Sequence, residues 1–258
     1  MNFQCQTEPL AQLKLLAEHK QHGVLITGGP GYGKTYLAQQ YAKMLEIPDF
    51  YIINPVISDL KIMIESCVES QTPVVICIED LDSGVIQAAY PLLKLIEDCP
   101  SYIYVVVTCN NLAAIPDTIP SRCALVTVNP PTKSDLIQYA RSVDPKAFDF
   151  VSKHKVWGCA KGFTEVAAIL KFNAEQLKYF NTLPEVIQSR SSVSNIAWKL
   201  QHYEDTSETP IILVVRYLLF ILNGHHKQAC LACLNDLSEN RVSKNAIISK
   251  LVFELNYT

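Results

Sequence analysis

The sequence predicts an α/β fold, a five-stranded parallel sheet with crossover helices, followed by segments that read as helix alone. Three observations carry this. Short, uniformly apolar and β-branched runs alternate with longer helical stretches between residues 23 and 128, as expected of strands covered on both faces. A glycine-rich turn follows the first run directly. Pro130-Pro131 closes the pattern, since adjacent prolines disfavour both a central strand and a helix.

The expected strands are Val24 to Thr27, Tyr51 to Ile53, Val74 to Ile78, Ile103 to Thr108 and Ala124 to Val128. The stretches between them are long enough for crossover helices, for example Thr35 to Leu45 and Ile86 to Asp98, which makes a doubly wound domain. Beyond the prolines the helical stretches are Lys133 to Val143, Ala147 to Lys153, Thr164 to Asn173, Leu183 to His202, Pro210 to Asn223, His226 to Ser238 and Ser243 to Leu255. Weak linkers near residues 171–182 and 204–208 divide the chain into an α/β domain at 1–131, a small helical lid at 132–175 and a helical domain at 176–258.

Composition excludes several classes. Hydrophobic residues make up 49% of the 258, yet the longest apolar stretch, Ile211 to Leu222, is broken by Arg216, so no membrane span is expected. The N-terminal residues lack the basic start and apolar run of a signal peptide, and a cytoplasmic protein is expected. Nine cysteines, an odd number, read as reduced thiols, mostly in the core. Cys230 and Cys233 form a lone C-x-x-C without the second ligand pair a zinc site needs. A net charge of -3 argues against wrapping nucleic acid with the whole surface and leaves only local basic patches.

The chemistry concentrates after the first strand. Gly28-Gly29-Pro30-Gly31-Tyr32-Gly33-Lys34-Thr35 fits G-x-x-x-x-G-K-[ST] between an apolar strand and a helix, which is the context a P-loop requires. Its glycines let successive backbone N–H groups face phosphate oxygens at the positive end of the following helix. ATP is the expected ligand, cradled by residues 28–35 and the adjoining Tyr36. Lys34 reaches the β- and γ-phosphates, and the Thr35 hydroxyl joins the Mg²⁺ shell.

Val74 to Ile78 ends in Glu79-Asp80-Leu81-Asp82, which puts carboxylates where such sheets bind ligands. Glu79 takes the metal position and Asp80 the water-polarising position, the reverse of the usual Asp-Glu order, with a base one methylene shorter. Asp82 reads as the N-cap of a following helix. Asn110-Asn111 gives the fourth strand an uncharged polar tip. Alone that pair is a turn signal; beside the other strand tips, Asn110 reads as a donor to a γ-phosphate or to the attacking water.

Thr108-Cys109-Asn110-Asn111 followed by Ile119-Pro120-Ser121-Arg122-Cys123 closely resembles sliding-clamp-loader ATPases of the AAA+ superfamily. Ser-Arg-Cys is that family's signature. The resemblance implies that Arg122 projects across a subunit interface to the neighbour's γ-phosphate and that Asn110, eleven residues before Ser121, is the sensor. Its bland alternative is that Arg122 pairs with a surface carboxylate. The resemblance also implies that Lys94-Leu95-Ile96-Glu97 lies in the helix that tracks primer-template DNA, with Lys94 as a phosphate contact; Lys61 is a second expected DNA contact, against the alternative of a solvated surface lysine. It covers roughly residues 20 to 175, and the C-terminal helices look like the ring-forming collar.

Two departures stand out. Where the family's lid helix opens on an arginine that touches the nucleotide, this sequence has Gly162-Phe163-Thr164-Glu165, with Lys161 the nearest cation. Only Cys67 lies between Thr35 and Val74, so the four-cysteine zinc module of bacterial loader subunits is absent. In this the chain looks like a compact phage or viral subunit, acting in the bacterial host cytoplasm. The resemblance implies an ATPase working with other loader subunits, a sliding clamp and primer-template DNA. Two alternatives stay open, a ring member that binds ATP without hydrolysing it and another AAA+ replication motor such as a helicase loader.

Overall fold

The computed structural model describes residues 3–83, 89–174, 177–178, 180–181, 215, 217–219, 228 and 230–233. The chain forms two compact units, Met1–Asp135 and Leu136–Thr258. The helices expected between 183 and 255, and with them the collar at 176–258, lie outside the described residues apart from those few positions.

In the first unit, β1 (Gly23–Thr27), β2 (Phe50–Ile53), β3 (Val74–Ile78), β4 (Ile103–Cys109) and β5 (Ala124–Thr127) form one parallel sheet in the order β2-β3-β4-β1-β5. Around it run α1 (Gln4–Glu18), α2 (Lys34–Met44), α3 (Ile57–Ser70) and α4 (Ala89–Glu97). Strand alternation sorts the core into two layers. Val24, Ile26, Val106 and Cys77 pack with Leu13 of α1 and Leu37 and Tyr41 of α2. Leu25, Ile76, Ile78 and Val107 pack with Leu60 of α3 and Leu92 and Leu95 of α4.

The central strands β1, β3 and β4 are buried along their whole length. The edge strands are not: Tyr51, Ile52 and Leu125 are 44%, 47% and 47% exposed. The expectation that all five apolar runs are covered on both faces fails at β2 and β5, which stand at the two ends of the strand order among the described residues.

Helix α1 is absent from the sequence expectation. Its N-cap, Phe3, supplies no side-chain hydrogen bond, and Pro9 lies inside it. The cap comes instead from Asp135, whose carboxylate accepts the amides of Gln4 at 2.6 Å and Cys5 at 3.4 Å. The same carboxylate accepts the Thr132 amide at 2.9 Å and its hydroxyl at 2.8 Å, and Thr132 Oγ1 accepts the Asp135 amide at 3.2 Å. This is a capping box at the start of α5 (Lys133–Val143) that also clamps the start of α1.

The second unit holds α6 (Pro145–Val151) and α7 (Phe163–Leu170). Asp144 caps α6 by accepting the amides of Lys146 and Ala147, both at 2.9 Å. Its buried residues include Phe148, Val151, Phe163, Val166 and Ile169, and Phe148 meets Trp157 edge to face. All nine cysteines are thiols, and Cys5, Cys67, Cys77, Cys109, Cys159, Cys230 and Cys233 are buried. Among the described residues no helix is long and apolar enough to cross a membrane.

Burial alone would raise the Asp135 carboxyl's pKa, but the hydrogen bonds from Thr132, Gln4 and Cys5 outweigh it and hold the pKa below the ordinary carboxylate range. A lowered folded pKa means stability that is present above the unfolded value, near 4, and is lost as pH falls through the folded value. Asp135→Asn is therefore expected to cost about 1–3 kcal/mol in urea unfolding at pH 7. The gap to wild type should narrow below about pH 4; a gap unchanged down to about pH 2.5 would contradict the clamp.

Candidate nucleotide and phosphate site

The loop after β1 is shaped by close packing. The Gly28 amide donates to the Cys109 carbonyl at 3.2 Å, and a Cβ at Gly28 would sit 2.8 Å from the Val128 carbonyl oxygen. Gly31 and Gly33 have φ of 76° and 89°, a left-handed backbone that favours glycine. Gly33 is the N-cap of α2 and carries no side chain to cap it, which leaves the helix's first amides directed toward the loop. Tyr32 folds its ring over Gly29, where a Cβ would lie 2.7 Å from Cζ. Pro30 is exposed, and Tyr36, which the sequence reading placed in the cradle, is 37% exposed on α2.

Lys34 is the centre of the site. It is 6% exposed, and burial of a charge demands full compensation. Nζ donates to the carbonyls of Gly28 at 3.1 Å and Gly29 at 3.2 Å and to Asn110 Oδ1 at 2.7 Å. These three acceptors match the three protons of the ammonium. Asp80 Oδ1 adds an ion pair at 3.6 Å from a half-exposed position.

Thr35 donates its hydroxyl to Glu79 Oε1, so the two residues singled out for Mg²⁺ stand side by side. A hydroxyl against a carboxylate is a hard-oxygen set that suits this ion. Cys77 lies beneath the acidic tip; burial, with Glu79 and Asp80 nearby, pushes its thiol up to about 12 and keeps it protonated.

The structure therefore brings together Gly28 to Thr35, Glu79, Asp80 and Asn110 at the carboxyl ends of β1, β3 and β4. Arg122 lies elsewhere. It ends a short 3-10 helix, Pro120–Arg122, ahead of β5, and its carbonyl would be 3.4 Å from a Cβ on Gly23 at the start of β1. The length of β1, about 16 Å at roughly 3.3 Å per residue, separates it from Gly28. Its guanidinium pairs with Glu97 Oε1 at 2.6 Å and donates to the Thr118 carbonyl at 3.0 Å and Ser121 Oγ at 3.3 Å. Lys94 is exposed on α4. Lys61 is on α3, and its side chain lies outside the described residues. Lys161, in the second unit, donates its amide to Glu165 at 2.6 Å in front of α7.

Asp82 and Asn111 have defined partners, and one residue is new. Asp82 lies within the 3-10 helix Leu81–Ser83 and accepts the amides of Asn110 at 2.9 Å and Asn111 at 3.1 Å; the start of the helix it was expected to cap lies outside the described residues. Asn111 is a turn residue, accepting the Ala113 amide at 3.1 Å. Gln6, unmarked in the sequence, is 1% exposed on α1 and donates to the Tyr32 carbonyl at 3.4 Å.

The family model for the DNA polymerase III delta subunit matches residues 52–132. A DNA polymerase III gamma subunit-related protein from Thermotoga maritima superposes with a TM-score of 0.59 at 14% identity, over 96% of this chain and 98% of that one. The chain has a clamp-loader-like AAA+ fold. A point mutant of RuvB from Thermotoga maritima, a protein described as a Holliday junction branch migration motor, superposes on this AAA+ fold with a TM-score of 0.55 at 14% identity, over 97% of this chain and 83% of that one. No curated protein matches the chain by sequence. Within the AAA+ unit, the tight approach at Gly28 yields a prediction. Gly28→Ala sets its methyl against the Val128 carbonyl and should cost about 1–3 kcal/mol in thermal unfolding. Pro30→Ala, on the exposed tip, should leave the midpoint unchanged, and equal midpoints for both variants would contradict the packing.

Proposed function

We propose that the protein is an ATPase subunit of a sliding-clamp loader, which opens a clamp with ATP bound and releases it on primed DNA when ATP is hydrolysed. The observation that carries this reading is a buried lysine shared between the loop carbonyls and the polar tips of β3 and β4, with the signature arginine at the opposite edge of the sheet. Residues 132–175 then act as the lid and 176–258 as the collar of the ring, in the cytoplasm.

Each residue has a role in this account. An arriving triphosphate replaces the carbonyl and amide oxygens around Lys34 with phosphate oxygens, which hold the ammonium better because they are charged. Thr35 and Glu79 hold Mg²⁺, which would neutralise charge on the β- and γ-phosphates. Asp80, released from its pair with Lys34, polarises the attacking water. Asn110 turns its amide donors to the γ-phosphate or to that water. Lys94 gives DNA a phosphate contact that reads no base, with Lys61 on the neighbouring helix as the second.

Arg122 is too far from its own loop to serve it and acts on the adjacent subunit, exchanging Glu97 for the neighbour's γ-phosphate. Such arginines contribute roughly 10³ to 10⁵ in rate. Rings of Lys34→Ala or of Arg122→Ala subunits alone should be inactive with clamp and primed DNA, while rings mixing the two should recover part of the activity. Each Lys34→Ala subunit then lends its intact Arg122 to a neighbour whose cradle is whole. No recovery in rings shown to contain both subunits would overturn the trans assignment. ATP bound without turnover in the wild-type ring would favour the ring member that binds but does not hydrolyse.

A further inference from the structure

The parallel ladder between β3 and β4 stops at Ile78 and Val107, although β4 runs on to Cys109 beside β1. Past that point side chains continue the pairing. Thr108 Oγ1 accepts the Asp80 amide at 2.9 Å, and two residues further along both strands the Asp82 carboxylate accepts the amides of Asn110 at 2.9 Å and Asn111 at 3.1 Å. Each strand thus holds the other's tip, once by a hydroxyl and once by a carboxylate.

The clasp closes on a residue in an unusual conformation. Asp80 has φ of 45°, the left-handed region that non-glycine residues adopt when their surroundings impose it. Its amide is fixed by Thr108, which is 1% exposed. Its carbonyl accepts the Ser83 amide at 2.8 Å and the Ser83 hydroxyl at 2.7 Å. On the open side the clasp presents Asp80 and Asn110, the two side chains that converge on Lys34.

We propose that Thr108 and Asp82 are positioning residues for phosphoryl transfer, a two-point clasp that sets the Asp80 carboxylate and the Asn110 amide against the phosphate site. This rests on the reading of Asp80 as the water-polarising group. The sheet does not need the left-handed turn at Asp80, since the β3 ladder has already ended; the turn sets where the carboxylate stands. Thr108 makes its contact with Asp80 and not with residues 28–35, so its loss should leave the phosphate cradle in place while freeing the carboxylate to drift. Misplacement by about 1 Å costs on the order of 10²-fold in rate.

The test uses full-length subunits assembled into the ring with clamp and primed DNA, measuring Mg-ATP affinity and single-turnover hydrolysis side by side. Thr108→Val, close in shape, should lower the single-turnover rate by about 10- to 10²-fold, with affinity held within about twofold. Thr108→Ser, which restores the oxygen, should recover most of the rate. A Thr108→Val rate equal to wild type, a rate and affinity that fall together, or a Thr108→Ser variant no better than Thr108→Val would each overturn the proposal. If Thr108→Val does not fold, Asp82→Asn carries the test and should show the same split in weaker form, since one acceptor remains. Absence of wild-type hydrolysis would overturn the reading of Asp80 and this proposal together; hydrolysis indifferent to both variants would overturn the clasp alone.

Discussion

Everything at the candidate site depends on keeping the Lys34 ammonium charged while the residue is 6% exposed. An ammonium out of water needs an acceptor for each proton, and three oxygens from two directions supply them. Two of these are carbonyls of the loop itself, so the loop must fold back over the helix it precedes. That requires glycine at the left-handed positions 31 and 33 and no side chain at Gly28. The third comes from the tip of β4, so the sheet order that sets β4 beside β1 is part of the same requirement.

The topology also separates what must be apart. Parallel strands place every carboxyl end on one edge, where Lys34, Glu79, Asp80 and Asn110 gather, and every amino end on the other, where Arg122 lies beside Gly23. The Arg122 guanidinium is held at that far edge by Glu97.

What was legible in the sequence follows the range of the interactions involved. The β3 strand and α5 have the bounds their residues predict, Val74–Ile78 and Lys133–Val143, because an apolar β-branched run and a helical stretch soon after Pro130-Pro131 are local signals. The P-loop was legible because its chemistry lies in eight consecutive residues. Helix α1 was not, because its cap is Asp135, 131 positions from Gln4. The partners of Asp82 were hidden for a similar reason: they are the amides of Asn110 and Asn111, 28 and 29 residues away just past the end of β4. Thr108 entered the sequence reading only as part of a motif string, and its own role was hidden, since a threonine in a β-branched strand is ordinary until the neighbouring segment turns left-handed against it. The exposed faces of β2 and β5 were hidden by composition, as apolar residues at a sheet edge look like those at its centre.

The central claim is that the oxygens gathered around Lys34 stand where a nucleotide's phosphates bind. Equilibrium titration of the full chain with Mg-ATP, comparing wild type with Lys34→Ala and confirming by circular dichroism that both are folded, tests it most directly. Wild type should bind, and the variant should lose at least about tenfold in affinity, equivalent to roughly 1.4 kcal/mol, while keeping its fold. Equal affinities in two folded proteins would contradict the account.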